Sequence, residues 1–362
     1  VKIAFLLLVI VHGLIHLLGF IKAVDWVQIK DFPIEVSKGS GYLWLTAALF
    51  FLIFALSYFL EWKYSWYIGL AAVLVSQVLI IMYWKEAKFG SVPNLIILIL
   101  TLIAWMNTRF DAKVEKELGL LFASQTNEKA MPHASMDALP AAVQLWLKNS
   151  GASAQTGPQK VRVDQAFQLK LKPEQNDWYR GKAVQYFNPV RPGFLWYLDL
   201  NILEWVNIRA RDLYLDGKGE MLIKLWSLIP MVNEKNNPKI DEGTLQRFLG
   251  EMVWFPWMAK SPYITWESVG ENKAEAYIQF QGVEASGTFT FDQEGKFRQF
   301  QTERFMGGDE NAKRYPWIII AQDHAIHQGI EIPTLCEASW ILDDGPWKWA
   351  IIEILSVDYE GG

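Results

Sequence analysis

Four long apolar runs crowd into the first 110 residues: 1–23, 41–60, 66–84 and 89–108. A helix needs roughly 20 apolar residues to cross a hydrocarbon core of about 30 Å, and each run is of that length. In lipid every backbone polar group must be satisfied within the segment, so such runs predict helices. The expectation is a four-helix transmembrane domain over residues 1–110. The second and third runs carry no charge, and the first has Lys2 and Lys22 at its ends with His12 and His16 inside. Trp26, Tyr42, Trp44, Trp62, Trp66, Tyr83, Trp84 and Trp105 fall near run ends, where amphipathic rings favour the headgroup layer. The first run is too long for the apolar part of a signal peptide and lacks a convincing cleavage site after it.

The rest of the chain has a different balance. Residues 1–110 hold eight of the 34 Lys/Arg and five of the 39 Asp/Glu, a net charge of +3, which leaves −8 for the remainder. An acidic domain without a basic run offers nothing to a phosphate backbone, so no nucleic-acid partner is expected. The single cysteine, Cys336, excludes an intrachain disulfide and a cysteine-based zinc cluster. Lys2, Lys63, Arg109, Lys113 and Lys116 on one side of the membrane balance Lys22, Lys30, Lys38, Lys85 and Lys88 on the other. The two loops on the second side favour a soluble domain outside the cytoplasm of a bacterial inner membrane.

Between Asp111 and Asp137 the composition turns polar and irregular, which predicts a linker over residues 111–137. A short helix is expected from Leu139 to Gly151, with Pro140 in its first turn. From Val161 to Lys172 apolar and polar residues alternate, with Val161, Val163, Phe167, Leu169 and Leu171 on one face, the period of a half-buried strand. Similar runs follow at 183–187, 193–200, 205–215, 219–226, 264–267, 274–281, 285–291, 297–304, 317–322, 337–342 and 347–357. Asp216-Gly217, Glu294-Gly295 and Asp344-Gly345 supply turns between neighbours. Leu245, Phe248, Leu249 and Met252 recur at helical spacing until Pro256. Residues 138–362 therefore read as an α+β soluble domain: a large, curved antiparallel sheet with few helices.

Several strings match a known pattern: Pro192-Gly-Phe-x-Trp196, Arg211-Asp-x-Tyr-x-Asp-Gly217-x-Gly219, Leu245-x-Arg-x-Leu-x-Glu251-x-x-Trp-Phe-Pro256 and Gly329-Ile-x-Ile-Pro333. Over residues 138–358 the chain resembles an uncharacterised bacterial family, a domain of unknown function, some members of which have a comparable membrane half with His12-Gly-Leu-Ile-His16. The resemblance brings no catalytic residue with it. A looser analogy, to the half-barrel of lipoprotein carriers, implies a sheet wrapped round a greasy cavity.

The residues that invite a chemical reading are few. His12 and His16 share one helix face inside the membrane, where ionisable groups usually mark function; they read as a metal or haem ligand pair, as a proton relay, or as hydrogen-bonded glue for the bundle. Asp323-His324-Ala-Ile-His327 reads as a solvated loop or an acid/base pair, and Glu251, four residues after Arg247, as a surface ion pair or a carboxylate with a raised pKa. Arg209 and Arg211 share a strand face and, with Arg304 and Arg314, suit an anionic headgroup. Twelve of the 18 tryptophans lie beyond residue 110, and Trp254 and Trp257 are candidates to line a lipophilic pocket. No nucleophile elbow, phosphate loop, dinucleotide fingerprint or zincin motif is present, and the sequence leaves any cofactor unidentified. The leading expectation is a bilayer-anchored domain that binds a lipid or other apolar small molecule. The alternatives are a membrane-bound enzyme using Glu251 with Asp323 and His324, and a structural or assembly partner in a membrane complex.

Overall fold

The computed structural model describes residues 2–26, 35–123, 134–154, 157–203 and 205–361. They divide into two compact units: Val1–Ala112 with Trp226–Leu228, and Lys113–Leu225 with Ile229–Gly362. The first unit contains helices α1 (Lys2–Ala23), α2 (Lys38–Phe59), α3 (Ser65–Met82), the single turn α4 (Trp84–Ala87) and the start of α5 (Ser91–Ala123). Four of its helical segments are long and apolar enough to cross a membrane. The protein is therefore an integral membrane protein.

Lipid supplies no hydrophobic drive between helices, so close packing has to hold them. Glycines provide it here. A Cβ on Gly13 would stand 2.9 Å from the Cβ of Phe51, and one on Gly19 would enter the Trp44 ring. Phe5, Val9, Phe51, Phe54, Val73 and Ile97 fill the space that these close approaches leave.

Helix α5 has 33 residues, about 50 Å at 1.5 Å per residue, and so outruns the hydrocarbon core. Residues 111–123 are helical where polar composition predicted the start of a linker; residues 124–133 of that linker lie outside the described residues. The reason is local. Val114 and Leu121, seven apart and so on one face, are buried, and Glu117 on the same face pairs with Arg211.

The second unit adds α6 (Ala141–Asn149) and then a run of strands: β1 (Lys160–Leu169), β2 (Tyr179–Asn188), β3 (Gly193–Leu203), β4 (Val206–Leu215), β5 (Lys218–Leu225) and β6 (Ile229–Glu234). Helix α7 (Pro238–Glu251) follows, capped by Asn237, whose side chain accepts from the Lys239 amide. The chain then forms β7 (Ile264–Gly270), β8 (Lys273–Phe280), β9 (Val283–Phe291), β10 (Phe297–Phe305), β11 (Arg314–His327), β12 (Ile330–Leu342) and β13 (Gly345–Glu360). All thirteen strands form one antiparallel sheet in the order β6-β5-β4-β3-β2-β1-β13-β12-β11-β10-β9-β8-β7. Two meanders are thus joined at their centre by β1 and β13, which pair from Lys160↔Glu360 to Leu169↔Ala350.

The expected curved half-barrel is not what forms. The sheet is an open ladder, neither closed nor strongly curled, and its edges β6 and β7 are not hydrogen-bonded to each other. Because β1 and β13 pair in the middle, the two meanders extend outward and leave β6 and β7 as opposite edges. Pro230 in β6 lacks the N–H that a further strand would need. One face of the sheet is filled rather than hollow: Phe187, Phe194, Phe248, Trp254, Phe255, Phe289 and Phe300 form a continuous buried cluster under α7. Strand β11 also runs through Asp323-His324-Ala-Ile-His327, where a loop was expected. Register shifts at Ala321/Asp323 and Asp323/His324 break the alternation that would have revealed the strand.

The glycine packing yields a test. Gly13→Val should lower the melting temperature of the detergent-solubilised protein by several degrees, because overpacking costs about 1–3 kcal/mol. Leu14→Val, at a lipid-facing neighbour that is 47% exposed, should leave it nearly unchanged.

Candidate functional site

Strand alternation sends Gln165 of β1, Gln185 of β2, Trp196 of β3 and Asp212 of β4 to the face that α7 covers. Register places Gln185 opposite Trp196 and Trp196 opposite Asp212. From above, α7 presents Arg247 and Glu251 one turn apart. The Arg247 Nε donates to Glu251 Oε1 at 2.8 Å, and its Nη1 donates to Asp212 Oδ2 at 2.6 Å. The guanidinium lies 4.7 Å from the Trp196 ring and 5.1 Å from that of Phe194. A relay of donors ends on the same acid: Trp196 Nε1 to Gln165 Oε1 at 3.0 Å, Gln165 Nε2 to Gln185 Oε1 at 3.2 Å, and Gln185 Nε2 to Glu251 Oε2 at 2.6 Å. Both oxygens of Glu251 are thereby engaged.

Burial governs the electrostatics. It pushes the Asp212 and Glu251 carboxyls above their usual range, against the pull of Arg247. On Arg247 burial works downward, and the two acids more than offset it. The fourth charge, Arg304 of β10, is lowered to about 10 by burial and then by Arg247, against the pull of Asp212 and Glu251. Its guanidinium lies 4.6 Å from the Trp317 ring and 5.8 Å from Trp340, and Gly243 of α7 leaves it room: a Cβ there would stand 3.1 Å from its Nε. Among the described residues it makes no hydrogen bond and no ion pair.

Beside it runs a ladder of indoles. Trp317 of β11, Trp340 of β12 and Trp347 of β13 are register partners and so share a face. The ring nitrogens of Trp317, Trp347 and Trp349 are buried N–H donors without an acceptor. Buried donors in native proteins are almost always satisfied, so several indoles left open beside a half-buried guanidinium on a neighbouring strand need an explanation. Their chemistry suits an oxyanion attached to an apolar body.

The other sequence candidates are dispersed. Arg209 and Arg211 project from the back face of β4, where Arg209 meets Asp199 at 3.0 Å and Arg211 meets Glu117 at 2.9 Å and Glu220 at 2.8 Å. Arg314 pairs with Glu242. Trp254 and Trp257 are core residues: the Trp254 indole donates to the Pro333 carbonyl, and Trp257 packs edge-on against Tyr359. His324 hydrogen-bonds the Phe297 carbonyl at 3.0 Å, and burial holds it below the usual histidine range. No hydrogen bond joins Asp323 or His324 to Glu251. In the first unit, His12 meets Asn94 at 2.9 Å, while His16 uses both ring nitrogens, on the His12 carbonyl and on Ser76. Among the described residues no group of three or more His, Cys, Asp or Glu is placed to hold a metal.

An open groove of about 700 Å³ lies apart from the charge cluster, lined by Glu242, Tyr263, Glu275, Tyr277, Glu303 and Arg314 among others. Its polar lining does not suit an apolar ligand. Sequence reasoning passed over Asp212, Gln165 and Gln185. The signal was present for the glutamines: Gln165 occupies an inward position between Val163 and Phe167, and a polar residue on an apolar face is an anomaly worth following.

A raised carboxyl pKa in the folded state gives stability that is full below the unfolded value and is lost as pH climbs through the folded one. Glu251→Gln removes that loss. The stability of the variant relative to wild type should therefore rise between pH 4 and pH 8 in paired denaturation curves. A relative fall would show that ion pairing outweighs burial.

No curated protein sequence is significantly similar to this chain. Among solved structures, a LolA superfamily protein from Nitrosomonas europaea shares 8% identity over 62% of this chain and 96% of its own, with a TM-score of 0.32. A β-barrel-like protein of the domain of unknown function DUF1849 from Brucella abortus shares 9% identity over 57% of this chain and all 100% of its own, with a TM-score of 0.23. A family profile matches residues 137–359, which take in α6, α7 and all thirteen strands to within one residue of the end of β13. The chain belongs to the family of unknown function DUF6920, here with membrane-spanning helices ahead of the family domain.

Proposed function

We propose that the sheet domain binds an anionic amphiphile, a lipid or fatty acid, with its oxyanion at Arg304 and its apolar body against the tryptophans of β11–β13. The observation that carries this reading is the Arg304 guanidinium, set on Trp317 and Trp340 without a hydrogen-bonded acid among the described residues, beside the open N–H groups of Trp317 and Trp347. Asp212 and Glu251 act on it through charge alone, while each gives a hydrogen-bonded oxygen to Arg247. An oxyanion would complete a charge-assisted, bidentate pair of the kind arginine favours. Tyr315, Leu342, Trp347 and Trp349, partly buried against the core, provide apolar contact nearby. The short loops bearing Lys22, Lys38, Lys85 and Lys88 support a soluble domain outside the cytoplasm of a bacterial inner membrane.

Hydrogen bonds to charged groups contribute about 1.5–3 kcal/mol, so Arg304→Gln should weaken binding by about 10–100-fold. Titration of the detergent-solubilised protein with a long-chain fatty acid and with phosphatidylglycerol, read by native mass spectrometry, measures this and separates the two sources of the anion. Trp347→Phe, which keeps the ring and loses only the N–H, should show a smaller loss. Failure of wild type to bind either probe, or equal binding by Arg304→Gln, would overturn the reading. For the orientation, protease added to sealed inside-out vesicles should leave the sheet domain intact; digestion would place it in the cytoplasm.

A further inference from the structure

Strand ends of the second unit differ sharply in character. At one end the β3–β4 and β5–β6 turns lie side by side, because Leu203 pairs with Val206 and Ile208 with Leu225. Here the chain reads Leu225-Trp-Ser-Leu-Ile-Pro-Met-Val-Asn233 without a charge. Leu203, Trp205, Ile229 and Met231 are each about half exposed, between 48% and 59%. Trp226 and Ser227 hold φ of 52° and 55°, a left-handed conformation that turns normally give to glycine or asparagine. The β1–β2 connection reaches the same end and exposes Leu171 between Lys170 and Lys172. The opposite end, around Asn188–Gly193 and Asp216–Gly217, is polar.

Helix α5 has a definite direction along the second unit. Within the second unit it runs from Glu117, paired with Arg211 midway along β4, to Leu121, whose carbonyl accepts from Asn188 at the polar end. It therefore leads from the apolar end toward the polar one, and it comes directly out of a membrane span.

We infer that the paired turns of β3–β4 and β5–β6 are seated in the headgroup layer of the bilayer that α1, α2, α3 and α5 cross. Tryptophan at such a tip suits that layer, since its ring favours the interface. Uncharged Leu, Ile and Met beside it gain by burial among the acyl chains, and Lys170 and Lys172 lie where anionic headgroups attract them. The occupant of this apolar surface is lipid, and the inference stands independently of the Arg304 site.

Depth measurement by spin labelling tests it. The one native cysteine, Cys336, is fully buried and stays unlabelled. Nitroxide would be attached separately to Trp205→Cys, Met231→Cys and, at the polar end, Val190→Cys, in full-length protein in phosphatidylethanolamine–phosphatidylglycerol vesicles. Labels at 205 and 231 should collide several-fold more with oxygen than with a water-soluble nickel chelate, and the label at 190 should do the reverse. Nickel-accessible labels at both 205 and 231, or labels there shielded from both reagents, would overturn the inference, the first pointing to water and the second to a protein contact.

Discussion

Arg247 fixes the position of helix α7, and most of what distinguishes this fold depends on where α7 lies. The side chain is 13% exposed and stands between two acids, Asp212 from the sheet and Glu251 from its own helix. A buried ion pair is a poor source of net stability, because desolvation offsets the attraction. Removing one partner is another matter: it strands the others and costs about 3–5 kcal/mol, a large part of a domain stability of about 5–15 kcal/mol. The arrangement therefore works as a registry device. Sliding α7 by one turn would leave Asp212 without its cation, push a side chain other than Gly243 against Arg304, and pull Phe248 out of its place beside Phe187 and Phe255.

This dependence explains what was legible in the sequence. Span lengths and tryptophan belts expose the membrane helices because the bilayer imposes one length on all of them. Most strands show through their alternation. The strands that escaped have identifiable reasons: β6 is a short edge strand with Pro230, and the bulges near Asp323 hide half of β11. Alternation also separates Arg209 and Arg211 from Asp212, but it does not say which face turns inward. That depends on the central pairing of β1 with β13, some 200 residues apart in the chain, and local pattern carries no trace of it. So the arginines grouped by sequence end on opposite faces, while Asp212, Arg247 and Arg304, drawn from β4, α7 and β10, come together.

The two units treat buried polar groups differently, and the contrast bears on the ligand reading. In the bilayer, His12, His16, Ser76, Gln77, Ser91 and Asn94 form a linked set of hydrogen bonds across α1, α3 and α5. With no water in the hydrocarbon to fall back on, such groups must satisfy one another. This is a sufficient physical role for the two histidines, and it requires no metal. Indole nitrogens are treated less strictly, since Trp44 and Trp66 in the same unit also lack an acceptor. An open indole by itself is therefore thin ground for a site. What sets the β10–β13 face apart is the charge among the indoles. A guanidinium keeps its proton even when lowered to about 10, so Arg304 remains a cation at neutral pH, held between aromatic faces and a glycine, with the nearby acids committed to Arg247. Cation–π contact contributes about 0.5–2 kcal/mol, and an anion that reaches the half-buried guanidinium adds the charge-assisted pair that the aromatic faces do not supply.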